Sequence, residues 1–132
     1  MASRLDDGAG VLPAPAEKAA AVRRMFGAIA PRYDLLNHLL SLNSDRRWRR
    51  RAVDVLLQDA PLDGTYLDAC AGTLDLAREL AKRPAFAGRV LAADFTPEML
   101  ERGRSKAEGV ALYPAAGDTL SLPLRDGCMD GA

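Results

Sequence analysis

Apolar residues recur early in the chain at spacings of three and four, then give way to short unbroken apolar runs, and this switch of period predicts the architecture. Over residues 17–30, Ala21, Val22, Met25, Phe26 and Ile29 fall on one helical face, and Pro31 ends or restarts the helix. A second helix is predicted over 31–42, with the proline at its first position and Leu35, Leu36, Leu39 and Leu40 as an apolar stripe beside Tyr33. Asn43-Ser44-Asp45 supplies a turn and an N-cap candidate for a third helix over 46–57. Trp48, Ala52, Val55 and Leu56 share one face of it, with most of the arginines pointing away.

From Gly64 onward short apolar runs alternate with helical patterns, the signature of a parallel sheet. Strands are predicted over 65–70, 89–94 and 110–114, and helices over 74–83 and from a Thr96 cap through Pro97 to Lys106. Cys128-Met129-Asp130 then stands near a fourth strand. The fold class expected is α/β: N-terminal helices followed by the first part of a parallel sheet. Residues 1–16, rich in Ala, Gly, Pro and Asp without periodicity, read as a flexible tail.

Lys plus Arg equals Asp plus Glu at 18 each, which argues against a chain-wide nucleic-acid binder and leaves room for a local basic patch. The amino terminus lacks the apolar core of a signal peptide, and no run approaches the ~20 residues needed to span a bilayer, so a cytoplasmic location is expected. Cys70 and Cys128 lack metal-ligand spacing and are expected as reduced, buried side chains with no redox role; no metal site is predicted.

The stretch from Tyr66 to Ala77 reads as a buried strand turning tightly into an amphipathic helix, and in a parallel sheet such a loop lies at the carboxyl edge, where ligands bind. Small residues Ala69, Ala71 and Gly72 allow close approach to its backbone. Asp94 ends the next apolar run and follows Gly72 by about the 20 residues expected of a ribose-binding acid.

Leu67-Asp68-x-x-x-Gly72-Thr73-x-Asp75, then Asp94, then Gly117-Asp118-Thr119-x-x-Leu122-Pro123, and finally Asp130 resemble successive motifs of class I S-adenosylmethionine-dependent methyltransferases. Tyr33-Asp34-Leu35-Leu36-Asn37-His38-Leu39-Leu40-Ser41 followed by Trp48 resembles the signature Y-D-x-M-N-x-x-L-S-x-x-x-H-x-x-W of the quinone-ring C-methyltransferases of ubiquinone and menaquinone biosynthesis. The likeness runs from about Val22 to the end. Leu74 replaces the glycine usual in G-T-G-D, Leu36 replaces methionine, and Asp45 stands at the signature histidine. The family continues through the rest of strand four and three further strands, so the resemblance implies a Rossmann-like sheet truncated near strand four. With the boundary that the change of pattern sets near residues 59–64, the chain is expected to divide into the tail, a helical lid segment over 17–60 and an incomplete cofactor-binding domain over 61–132.

The resemblance implies S-adenosylmethionine as cofactor, with Gly72 and Thr73 at its methionine end, Asp94 at the ribose, Asp118 and Thr119 at the adenine edge, and Asp68 orienting the loop. It implies methyl transfer to a ring carbon of a polyprenyl quinol, for which a base is needed. Tyr33, Asp34, Asn37 and His38 are the candidates, none of them assigned; packing and solvent exposure are the plainer readings of Tyr33 and His38. The arginines of the third helix suit anionic lipid, giving an expected peripheral contact with the inner membrane face, although a solvated helix face explains them equally. Self-association through an open sheet edge is also expected. A methyltransferase of another small molecule and an inactive cofactor-binding fragment are the competing readings, and a dinucleotide oxidoreductase is disfavoured because the loop lacks G-x-G-x-x-G.

Overall fold

The computed structural model describes residues 14–41 and 44–132, apart from the side chains of His38 and Ser41. The expected tail up to residue 13, Asn43 of the expected turn and the His38 imidazole lie outside the described residues. Helices α1 (Pro15–Ser41) and α2 (Ser44–Leu57) come first. After them come β1 (Thr65–Asp68), α3 (Asp75–Ala81), β2 (Arg89–Asp94), α4 (Pro97–Gly103), a 3₁₀ turn at Arg104–Ala107, and β3 (Leu112–Ala116). The strands make one parallel sheet in the order β1-β2-β3, the α/β architecture that the alternation predicted.

On the other edge of β1, Tyr66 bridges Gly131 in parallel, and the Leu67 N–H donates to the Gly131 carbonyl at 2.9 Å. Thr65 is fastened to the same segment, its N–H donating to Asp130 Oδ2 at 2.7 Å. In β2, Val90, Ala92 and Ala93 are all buried, because a parallel sheet is covered on both faces and its strands read as unbroken apolar runs. Ala77 and Leu80 from α3, Leu100 from α4 and Val53 from α2 complete the core around Tyr66, Val90 and Leu112. The Tyr66 hydroxyl donates to the Pro61 carbonyl; burial, helped by the charges of Asp130 and Asp63, holds its phenol above the ordinary value.

Several expected boundaries move. Pro31 lies inside a continuous α1 of 27 residues instead of ending a helix. Its missing N–H costs one helical bond, but Ala30 is buried and the Arg102 guanidinium donates to the Pro31 carbonyl at 2.9 Å, so contact with α4 carries the helix across. The first strand stops at Asp68 because the chain turns to tie the Ala71 N–H to the Ala93 carbonyl. The helix after it starts at Asp75 because Leu74 has a left-handed backbone. The last turn expected of α4 narrows to the 3₁₀ turn, and the third strand starts at Leu112, where pairing with Val90 sets its register.

The apolar faces also differ from expectation. Val53 is the buried residue of α2, with Leu56 and Leu57 half-buried, while Trp48 is 70% exposed and Ala52 and Val55 lie outward. Leu35, Leu36, Leu39 and Leu40 of α1 are likewise exposed, Leu40 at 82%. Periodicity marks a face without naming what covers it. Cys70 and Cys128 are free, but exposed where burial was expected, because both stand in loops beyond the strands.

Candidate functional site

The carboxyl ends of the three strands are drawn together by backbone bonds: Ala71 N–H to the Ala93 carbonyl at 3.0 Å, and Gly117 N–H to the Asp94 carbonyl at 2.9 Å. At this junction the Asp94 side chain organises its neighbours. Its Oδ2 accepts the Gly72 N–H at 2.8 Å and its Oδ1 the Thr96 N–H at 2.8 Å, so one carboxylate fixes the loop after β1 and the start of α4. Thr96 holds the predicted cap position, but its hydroxyl makes no capping bond, and the Asp94 carboxylate satisfies its amide instead. Each Asp94 oxygen keeps a second lone pair for a ligand.

Gly72 has φ 51°, a conformation that favours glycine. Among the described residues a Cβ built on it would meet Met99 Cε alone, at 3.7 Å, so the backbone here is open to a ligand. Gly103 answers a different need: a Cβ there would come 2.4 Å from the Thr73 carbonyl oxygen, so α4 can lie against the loop through a bare backbone alone.

A cleft of about 310 Å³ opens at this edge. Gly72 and Cys70 form one wall, Asp94, Phe95, Thr96 and Met99 another, Thr119 closes one side, and Val22, Phe26 and Tyr33 of α1 close it from above. The volume is at the lower end of small-molecule pockets, roughly 300–1,000 Å³. A larger groove of about 810 Å³ between α1 and α4, lined by Gly27, Pro31 and Glu98 among others, includes neither Gly72 nor Asp94.

Of the residues singled out from sequence, Tyr33, Gly72, Asp94 and Thr119 meet at the cleft. Asp118 does not line it: it is exposed, and its Oδ1 accepts the Leu120 N–H at 2.9 Å. Asp68 lies behind the loop, against a small cavity shared with Val53, Leu76 and Leu80. Burial pushes its carboxyl above the ordinary value, the Asp94 charge adding to this against the pull of the Ala77 and Cys70 backbone N–H groups. Its Oδ2 is buried with no hydrogen-bond partner among the described residues.

Thr73 is buried and donates its hydroxyl to Asp34 Oδ1 at 2.5 Å. Asp34 also accepts Lys106 Nζ at 3.0 Å, and Asn37 lies half-buried on the same helix without lining the cleft. The sequence reading missed Phe95, Met99, Cys70 and Lys106. Phe95 and Cys70 adjoin recognised motif positions, whereas nothing in the sequence marks Lys106.

The model of the ubiE/COQ5 methyltransferase family matches residues 15–131. The chain is 51% identical over 108 residues to the demethylmenaquinone methyltransferase of Thermus thermophilus, covering 80% of this chain and 48% of that protein. Over 122 residues it is 43% identical to the ubiquinone/menaquinone biosynthesis C-methyltransferase UbiE of Citrifermentans bemidjiense, covering 88% of this chain and 50% of the relative. The chain thus spans about half the length of these curated relatives. Among solved structures, a chain from the Haloferax volcanii complex of the Trm112 methyltransferase activator with a methyltransferase superposes with TM-score 0.59 at 25% identity, covering 80% of this chain and 44% of that one. The Bacillus subtilis YcgJ protein shares the fold with TM-score 0.56 at 23% identity, over 64% of this chain and 36% of that one.

Proposed function

Because the chain belongs to the ubiE/COQ5 methyltransferase family, we propose that it serves S-adenosylmethionine-dependent C-methylation of a polyprenyl quinol, demethylmenaquinol to menaquinol or the ubiquinone-pathway equivalent. The observation that carries this reading is Asp94, which ends a buried strand, faces the cleft and keeps lone pairs free for a ribose diol. Gly72 offers an open backbone to the methionine end of the donor, and Thr73 fixes the loop beside it. Asp68 orients that loop from behind, where the Cys70 and Ala77 backbone N–H groups meet its carboxylate. Thr119 borders the adenine end, while the neighbouring Asp118 stands outside the cleft lining. The donor, when bound, supplies a sulfonium methyl group for in-line transfer to a nucleophilic ring carbon.

The residues supply alignment and exclusion of water more than acid–base chemistry. Phe26, Phe95, Met99 and Val22 give the cleft its apolar lining. Tyr33 lines the cleft and is the candidate to interact with a quinol hydroxyl, whereas the Asp34 carboxylate is engaged with Thr73 and Lys106. The quinol would arrive from a membrane surface. Among the described residues no helix is long and apolar enough to cross a membrane, so contact would be peripheral. Trp48 beside Arg47 and Arg51, with the exposed leucines of α1, supports such contact, because an interfacial aromatic flanked by cations suits anionic lipid.

Calorimetry with S-adenosylmethionine, followed by a labelled-methyl assay on demethylmenaquinol, tests the reading. Donor binding that Asp94→Ala weakens by about 1–3 kcal/mol is expected. A folded wild type without affinity for the donor would overturn it.

A further inference from the structure

We infer that Asp34, Thr73 and Lys106 form a latch between α1 and the glycine loop, with Asp34 and Lys106 as positioning residues that set how long a ligand stays in the cleft; this rests on the donor-binding reading of that cleft. The three side chains close a triangle. Thr73 Oγ1 donates to Asp34 Oδ1 at 2.5 Å, Lys106 Nζ donates to Asp34 Oδ2 at 3.0 Å, and Lys106 Nζ also reaches Thr73 Oγ1 at 3.3 Å. The ammonium has a further acceptor in Asp75 Oδ1 at 2.8 Å, so its three donors meet three oxygens. Asp75 Oδ2 is held by Arg49 at 3.2 Å, and Arg49 also grips Asp45 at 2.7 Å, which extends the network into α2.

Placement turns this network into a control on the cleft. Asp34 directly follows Tyr33, and Thr73 directly follows Gly72; Tyr33 and Gly72 stand on the lid and loop walls of the cleft. The triangle therefore fixes the gap between those walls. Magnitudes support a dominant role. Beyond Pro31 the leucines of α1 are exposed, so apolar burial holds that half of the helix weakly. The Arg102 bond to the Pro31 carbonyl is exposed and contributes little. Thr73, by contrast, is 3% exposed and the Lys106 side chain 21%, where charge-assisted hydrogen bonds are stronger.

The test measures the rate of S-adenosylmethionine release from the wild type and from Lys106→Met, Asp34→Asn and the double variant. Each single variant is expected to release the donor about tenfold faster, with the double variant no faster than the worse single one, because one network is broken twice. Asp54→Ala, which breaks the 2.9 Å pair with Arg83 elsewhere on α2, is the control and should leave release unchanged. Lys106→Gln replaces Lys106→Met if the latter does not fold. Unchanged release in folded variants, or an equal effect from Asp54→Ala, would overturn the latch. If the wild type binds no donor, the donor reading fails and amide exchange decides the latch: faster exchange in the second half of α1 in the Lys106 variant supports it, and equal exchange refutes it.

Discussion

Leu74 adopts φ 68° with its side chain fully buried, which sets a left-handed backbone cost of about 1–2 kcal/mol against the burial of a leucine in the core. Leu74→Gly relieves that strain but empties a core position, a loss of about 2–5 kcal/mol. Denaturant unfolding should therefore show a net destabilisation of about 1–3 kcal/mol; a gain in stability would mean that backbone strain outweighs packing at this turn. Asp68 supplies a second prediction, in pH. Burial raises its carboxyl above the unfolded value, so in the window between the two the folded protein binds more protons. The favourable contribution is present below the unfolded pKa and is lost as pH rises through the folded one. Asp68→Asn abolishes this loss, so its stability relative to the wild type should climb from acidic to neutral pH. A flat difference across that range would remove Asp68 as the source.

The two N-terminal helices illustrate what an amphipathic pattern leaves open. On α2 the apolar set Trp48, Ala52 and Val55 turns outward, because Val53, Leu56 and Leu57 fill the side that meets the core. On α1 a proline inside the helix is tolerated where α4 lies against it, with Glu98 beside Gly27 and Arg102 donating to the Pro31 carbonyl. Proline in a helix interior costs roughly 3 kcal/mol relative to alanine, part of it offset by a stiffer unfolded chain. Pro31→Ala should then raise unfolding stability by about 1–3 kcal/mol. If stability falls instead, the stiffening of the unfolded chain by proline outweighs the helical bond it removes.

Taken whole, the described residues bury a small core around three strands and leave Leu35, Leu36, Leu39 and Leu40 of α1 and Trp48 and Val55 of α2 exposed. Exposed apolar patches of this kind mark contact surfaces. Size-exclusion chromatography should show the 132-residue chain eluting as more than a monomer and returning to monomer in mild detergent. Flotation with vesicles should favour anionic over neutral lipid, and Arg47→Glu with Arg51→Glu should reduce it. A monomer that ignores both detergent and vesicles would show that these leucines and Trp48 are individually tolerated surface residues.

Local signals explain how much could be read beforehand. The bounds of β2, the Pro97 start of α4 and the parallel sheet follow from unbroken apolar runs and from proline chemistry, which act over a few residues. Gly72, Asp94 and Thr119 were legible for the same reason: motif spacing on adjacent strands converts directly into proximity at the sheet edge. The partners of Asp34 were not, because Thr73 and Lys106 lie 39 and 72 residues away and meet it only once α1 has folded across the loop. Nor could sequence say which helix faces would be covered, or that the Asp94 carboxylate would accept the Thr96 N–H while the Thr96 hydroxyl caps nothing. Periodicity and spacing are properties of a segment, whereas burial and hydrogen-bond partnership belong to pairs of segments, and those pairs exist only in the folded chain.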